Sequence, residues 1–150
     1  MKKIKIAFGC DHAGFELKNL LIKELETEFD IYDFGTFSIE SVDYPDFVHP
    51  VAKEISENKS DLGILICGSA NGVAITANKY EKIRAAICWN AELAELSKKH
   101  NDANILCLPS RFINHSDAKK IVHSFLNTEF EGGRHAKRVE KITYPKILNP

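Results

Sequence analysis

The 150-residue sequence predicts an α/β fold: a five-stranded parallel sheet with helices over both faces. Three observations lead there. Short apolar runs alternate with longer amphipathic ones along the chain, the pattern of repeated strand–helix units. The central run, Leu62–Cys67 (LGILIC), is apolar on both of its faces, as a strand between two helical layers must be. No repeat, low-complexity tract or linker interrupts the alternation, so a single domain is expected over residues 1–150.

The elements follow in order. Lys3–Gly9 (KIKIAFG) reads as the first strand. Phe15–Phe29 places Leu17, Leu21, Leu25 and Phe29 four apart with Leu20 beside them, one apolar stripe on a helix. Ile31–Phe34 is a short second strand ending at Gly35. Phe47, Val51 and Ile55 mark a second helix over Phe47–Asn58. Leu62–Cys67 is the third strand, Ala70–Lys79 the third helix and Ala85–Cys88 the fourth strand. Asn90 is placed to cap a helix over Ala91–His100. Ile105–Leu108 is the fifth strand. Asn114–Thr128, with Ala118, Ile121, Val122, Phe125 and Leu126, is a long amphipathic helix. Glu131–His135 (EGGRH) is a breaker and a basic turn, and Arg134–Tyr144 reads as a last short helix ended by Pro145. Residues 131–150 therefore form a C-terminal arm. Right-handed crossovers between parallel strands make the whole a three-layer α/β/α, Rossmann-like sandwich.

Composition removes several classes of function. Hydrophobic residues at 44% and charged residues at 27% are ordinary globular usage, not that of a disordered or fibrous chain. Twenty basic against 21 acidic side chains leave a net charge of -1, so neither nucleic acid nor a membrane surface is an expected partner. No apolar run approaches the ~18 residues of a membrane span. The chain enters a strand at once, with no room for a signal peptide, and a cytoplasmic location is expected. Cys10, Cys67, Cys88 and Cys107 show no CxxC spacing, which argues against a zinc site or a thioredoxin motif and for free thiols.

Parallel sheets bind ligands at the carboxyl ends of their strands, so chemistry is sought there. Asp11 and His12 follow strand one. They suit hydroxyl and anion binding, and equally a helix cap with a surface histidine. Cys67-Gly68-Ser69-Ala70-Asn71-Gly72 follows strand three and opens a helix, where free N–H groups and the positive end of the dipole favour a phosphate or a developing oxyanion. A helix start also lowers the pKa of a neighbouring thiol, which would make Cys67 a base or nucleophile. A cysteine ending an apolar strand can be merely structural, but the glycines and Ser69 favour function. Neither a Walker loop nor GxGxxG is present. His100 can titrate near neutrality and Asn101 can hydrogen-bond hydroxyls, though both are common at helix ends. Arg111 follows strand five. Arg134 and Arg138, four apart, share a helix face, and guanidinium forks match phosphate oxygens. Lys98-Lys99 and Lys119-Lys120 read as solvated faces.

Taken together, Gly9-Cys10-Asp11-His12, Asp43-Tyr44-Pro45, Ile66-Cys67-Gly68-Ser69, Ala77-Asn78-Lys79, His100-Asn101-Asp102-Ala103-Asn104, Ser110-Arg111 and Glu131-Gly132-Gly133-Arg134-His135 resemble the ribose/galactose phosphate isomerase family, whose members include the B-type ribose-5-phosphate isomerases and galactose-6-phosphate isomerase subunits. The resemblance runs from the first strand to the last turn. It implies an aldose–ketose isomerisation through a cis-enediolate, with no metal or organic cofactor. Cys67 matches the base that moves a proton between C1 and C2. Some relatives use a Glu of the following helix, but Ala74-Ile75-Thr76 offers no carboxylate here. Gly68, Ser69, Ala70, Asn71 and Gly72 match the loop whose amides hold the enediolate oxygen, and the Ser69 hydroxyl shuttles protons between sugar oxygens. His100 matches the acid/base that opens the furanose ring. Asp11 and Asn101 match hydroxyl-binding positions, and Tyr44 joins the substrate-binding set. His12, Arg111, Arg134 and Arg138 match phosphate-binding positions.

The sequence departs from the family pattern at Ala70 and Pro109, where Gly is common. The resemblance further implies a homodimer or homotetramer in which the C-terminal arm reaches a neighbour's site. The expected substrate pair is ribose 5-phosphate and ribulose 5-phosphate. The alternatives are a six-carbon sugar phosphate (galactose 6-phosphate or allose 6-phosphate) and, in another class, a flavodoxin-like module holding a nucleotide or flavin over the Gly68 loop.

Overall fold

A computed structural model describes residues 2–143. Five strands, β1 (Lys5–Cys10), β2 (Asp30–Asp33), β3 (Leu62–Cys67), β4 (Ala85–Ile87) and β5 (Ile105–Pro109), form one sheet in the order β2-β1-β3-β5-β4, every neighbouring pair parallel. The helices are α1 (Phe15–Leu25), α2 (Tyr44–Ser56), α3 (Asn71–Ala77), α4 (Ala91–Asn101), α5 (His115–Leu126) and α6 (Arg134–Glu140), and a 3₁₀ turn over His12–Gly14 leads into α1. This is the expected three-layer α/β/α sandwich.

Alternation along the strands separates two cores. Ile6, Phe8, Cys10, Ile64, Ile66, Leu106 and Leu108 pack with Leu21 of α1 and Ile121 and Phe125 of α5. Ala7, Leu65, Cys67, Ile105 and Cys107 pack with Val48, Val51 and Ala52 of α2 and Val73 and Ala77 of α3. Each fully buried Ile, Leu or Phe contributes roughly 1.5–3 kcal/mol of hydrophobic stabilisation. Cys67 thus ends its strand on the α2/α3 side.

Element ends moved where a local signal outweighed apolar spacing. The apolar stripe of α2 starts at Phe47, but its first turn starts at Tyr44, with Pro45 in a position where no N–H is needed. α3 starts at Asn71 and not at Ala70, because Ala70 takes a left-handed φ of 65°. It ends at Ala77, and the side-chain amide of the capping Asn78 accepts from Ala85 N at 2.8 Å and donates to Ala85 O at 2.9 Å, fastening the helix end to β4. α6 ends at Glu140; Tyr144 and Pro145, which the sequence reading used to end it, lie outside the described residues.

Among the described residues one charged side chain is fully buried. Lys18 of α1 places its ammonium 2.7 and 2.8 Å from the two oxygens of Asp33, at the end of β2, and 4.8 Å from the Phe37 ring centre. Asp33 Oδ1 also accepts from Gly35 N at 2.9 Å. Cys10 N donates to Gly35 O at 2.7 Å and Thr36 N to Cys10 O at 2.8 Å. The pair therefore holds the loop after β2 against the end of β1, directly below Asp11.

Candidate active site

The chain leaves β1 in one direction, toward β2, and β3 in the other, toward β5 and β4. The carboxyl ends of β1 and β3 therefore bound a crevice at a topological switch point, where open α/β sheets hold ligands. Asp11 N donates to Ile66 O across it at 3.2 Å. The Asp11 Oδ1 accepts from Ala13 N at 2.9 Å and Gly14 N at 3.3 Å, so the carboxylate does cap the turn, and it is nearly buried. His12 Nδ1 accepts from Val42 N at 3.2 Å. In a neutral imidazole that assigns the proton to Nε2, a donor suited to a phosphate oxygen.

Cys67 is 4% exposed at the end of β3. The loop after it is tied to the end of β5 by Ser110 N to Cys67 O, 2.9 Å, and Arg111 N to Gly68 O, 3.1 Å. The Arg111 guanidinium lies over Gly68, where a Cβ would come within 3.0 Å of Nη1. Gly72 is under the ring of Tyr44, and a Cβ there would stand 2.5 Å from the ring. Glycine at 68 and 72 thus lets Arg111 and Tyr44 seat directly on the loop. Asn71 N donates to the Ser69 hydroxyl at 3.3 Å. Ala70, flagged in the sequence as an alanine where glycine is common, carries the positive φ that glycine adopts without strain.

Beside Ser69 and Asn71, a cavity of about 420 Å³ is walled by Ile87, Pro109, Trp89 and Phe112. Trp89 and Phe112 are 58% and 75% exposed, and sequence reading did not single them out. The other thiols are unsuited to proton transfer near neutrality. Burial pushes Cys10 up to about 12, Cys88 up to about 11 and Cys107 well above its ordinary value.

The remaining expected site residues are elsewhere. α4 runs back across the sheet, and its last residues adjoin the start of β5: Ala103 N donates to Ser97 O and Asn104 N to Arg84 O. His100 and Asn101 are therefore at the amino edge. β5 has five residues at about 3.3 Å each, so roughly 15 Å of sheet separates them from Cys67. The start of the C-terminal arm is there too. Glu131 N donates to Lys99 O at 3.2 Å, and the ring of His135 stacks on that of His100, centres 4.1 Å apart and 12° from parallel. His100, Asn101, His135 and Arg138 line one cavity with Val139 and Ile142.

Sequence reading missed His135 as a site residue. Its only signal was membership of the EGGRH turn, and the stack on His100 is a long-range contact. Burial, then the neighbouring His100 and Arg134, hold the His135 imidazole below the usual histidine range. The chain thus brings Asp11, His12, Tyr44, Cys67, the 68–72 loop and Arg111 together at one edge, and His100, Asn101, Arg134 and Arg138 at the other.

Residues 6–142 match the family model for Ribose/Galactose Isomerase. The chain belongs to the ribose/galactose isomerase family. Over 140 residues it is 46% identical to ribose-5-phosphate isomerase B of Escherichia coli (strain K12), covering 93% of this chain and 94% of that one. Over 139 residues it is 45% identical to a probable ribose-5-phosphate isomerase B of Mycoplasma pneumoniae, covering 91% of each. The crystal structure of the Thermotoga maritima ribose 5-phosphate isomerase superposes with a TM-score of 0.91 at 48% identity, over 93% of this chain and 97% of that one. The Mycoplasma genitalium ribose-5-phosphate isomerase B, solved with bound ribulose 5-phosphate, gives a TM-score of 0.91 at 41% identity over 95% of each chain. Among the described residues no helix is long and apolar enough to cross a membrane.

Proposed function

We infer that this chain is an aldose–ketose isomerase that interconverts ribose 5-phosphate and ribulose 5-phosphate. The observation that carries the reading is a cysteine at the switch point of the sheet, above a loop on which Arg111 and Tyr44 seat, in a chain that matches B-type ribose-5-phosphate isomerases over nearly its whole length. The residue roles are part of the proposal. Cys67 takes the C2 proton of the open-chain aldose. The electron pair forms the C1=C2 bond of an enediolate, with the charge on O1. Amides of the 68–72 loop stabilise that charge, which grows only as the reaction proceeds and so lowers the barrier. The Ser69 hydroxyl carries a proton between O1 and O2, and Cys67 returns its proton to C1. Asp11 and Asn101 hold hydroxyls. His12 and Arg111, with Arg134 and Arg138, hold the phosphate.

The separation of the two edges supports a site shared between chains. His100, Asn101, Arg134 and Arg138 are too far from Cys67 to act on one five-carbon substrate within a chain. In a twofold dimer the amino edge of one chain meets the carboxyl edge of the other, which gives two composite sites. The arm thereby closes its neighbour's pocket while docked on its own α4. We take residues 1–150 as one catalytic domain acting in the cytoplasm, with no metal or organic cofactor in the reaction.

The test is a coupled assay with ribose 5-phosphate, galactose 6-phosphate and allose 6-phosphate. The expected result is the highest kcat/KM on ribose 5-phosphate. A higher value on either six-carbon sugar would move the chain to the other branch of the family. Activity on none, from a purified protein that is yellow or holds nucleotide, would support a binding module.

A further inference from the structure

We propose that His100, Glu131 and His135 form a site for a borderline divalent transition-metal ion, Zn²⁺ above all, and that occupancy silences the isomerase by sequestering His100. The site itself stands on geometry alone; the silencing rests on the proposed isomerase function and on the ring-opening role that the family resemblance implies for His100.

One atom from each of the three residues lies within 4.8 Å of the other two. The two imidazoles stack, and each turns its Nε2 toward a different oxygen of the same carboxylate: His100 Nε2 is 4.0 Å from Glu131 Oε1, and His135 Nε2 is 4.0 Å from Glu131 Oε2. That separation is too long for a hydrogen bond. Neither ring makes a side-chain hydrogen bond among the described residues, although His135 is only 7% exposed.

The spacing suits an ion. Zinc is bound at about 2.0–2.2 Å by His nitrogen and carboxylate oxygen, so tetrahedral ligand atoms stand about 3.3 Å apart. Drawing in from 4.8 Å takes a turn of the two rings out of their parallel stack, so that both Nε2 lone pairs point at the ion, and a rotation of the half-exposed Glu131 side chain. The backbone is already set, because Glu131 N is bonded to Lys99 O beside His100. Two imidazoles and one carboxylate are a borderline donor set that prefers Zn²⁺, Ni²⁺ or Cu²⁺ to Mg²⁺ or Ca²⁺. The adjoining cavity of about 260 Å³ leaves the fourth position open to water. Arg138, on the same cavity, disfavours a dication, so the site should bind reversibly and not retain a resident ion.

The experiment uses the full chain carrying Cys67→Ala, so that the catalytic thiol cannot ligate metal. Co²⁺ is followed by its visible absorption and Zn²⁺ by calorimetry. One ion per chain is expected, and Glu131→Gln or His135→Asn should weaken binding at least about tenfold, since even outer-shell partners commonly matter that much. With Cys67 restored, Zn²⁺ should inhibit isomerisation, a chelator should restore it, and Glu131→Gln should raise the inhibitory Zn²⁺ concentration by a similar factor. Circular dichroism establishes that each variant is folded. No binding, or binding unchanged in both variants, overturns the site. Site-dependent binding that leaves isomerase activity intact overturns the silencing and the role given to His100, but not the site.

Discussion

The two edges of the sheet carry chemistry built in different ways. At the carboxyl edge, Asp11, Cys67, the 68–72 loop and Arg111 follow directly on β1, β3 and β5, and inter-strand bonds such as Asp11 N to Ile66 O and Arg111 N to Gly68 O lock them together. At the amino edge, His100 and Asn101 end a helix, and the arm from Glu131 folds back onto them through a ring stack and one backbone bond. The first edge is rigid because strand ends are fixed by the sheet on both sides. The second is a docked assembly. A base that must be placed within a few tenths of an ångström suits the first, and groups that open a ring and grip a phosphate from outside suit the second.

The sharpest test of this division is Cys67→Ala. Loss of a general base typically costs 10²–10⁴-fold, so kcat should fall by roughly that much while sugar phosphate still binds. Single replacements of Cys10, Cys88 or Cys107 by Ser or Ala should retain most activity, since burial holds these thiols protonated. Near-wild-type turnover in Cys67→Ala would move the base away from the carboxyl edge.

The support beneath that edge comes next. Lys18→Met leaves the partly exposed Asp33 without its cation, and because Asp33 keeps contact with solvent the loss of folding stability should fall below the about 3–5 kcal/mol typical of breaking a fully buried ion pair. The double variant Lys18→Met/Asp33→Leu should regain part of it, because no unpaired charge is left. Urea unfolding of the three proteins measures both numbers. Equal stability of the two variants would show that packing, and not the pairing of charge, holds the loop after β2.

At the amino edge the expected effect is smaller. A charge-assisted contact from Arg134 to phosphate is worth ~1.5–3 kcal/mol, so Arg134→Ala should raise KM by roughly ten- to a hundredfold. His100→Asn should lose activity on the cyclic sugar and keep much of it on an open-chain substrate. Mixing Cys67→Ala chains with Arg134→Ala chains tests the sharing directly. Each mixed dimer would hold one doubly damaged and one intact site, so activity should recover up to about half of wild type per mixed dimer if the sites act independently. No recovery, with mixed dimers seen by native mass spectrometry, would place both edges' residues in one chain's site.

The smallest effect is expected at Ala70. Glycine relieves the left-handed strain at φ 65° but adds freedom to the unfolded chain and removes a buried methyl. These terms oppose one another, so Ala70→Gly should change stability by less than about 1 kcal/mol. A change in the relative rates on five- and six-carbon substrates in that variant would show that loop freedom sets the sugar preference.

The sequence by itself determined the strand–helix alternation, the parallel sheet and the placing of Asp11, Cys67, the 68–72 loop and Arg111 at the carboxyl edge, but not of Trp89 and Phe112 beside them. Those features are local: an apolar run of period two or none, a helix stripe, and a chemically distinctive loop within a few residues of each strand end. It also supplied His100, Asn101, Arg134 and Arg138 through family motifs. It did not reveal that they stand at the opposite edge from Cys67, nor that His135 joins them. Nor did it show that Lys18, which a helix pattern alone would leave in solvent, is fully buried against Asp33. Only the tertiary structure decided these points. The path of α4 back across the sheet and the docking of the arm are set by contacts between residues about thirty or more apart, such as His100 on His135, and no local pattern of hydrophobicity or charge encodes which of two sheet edges a helix end will reach.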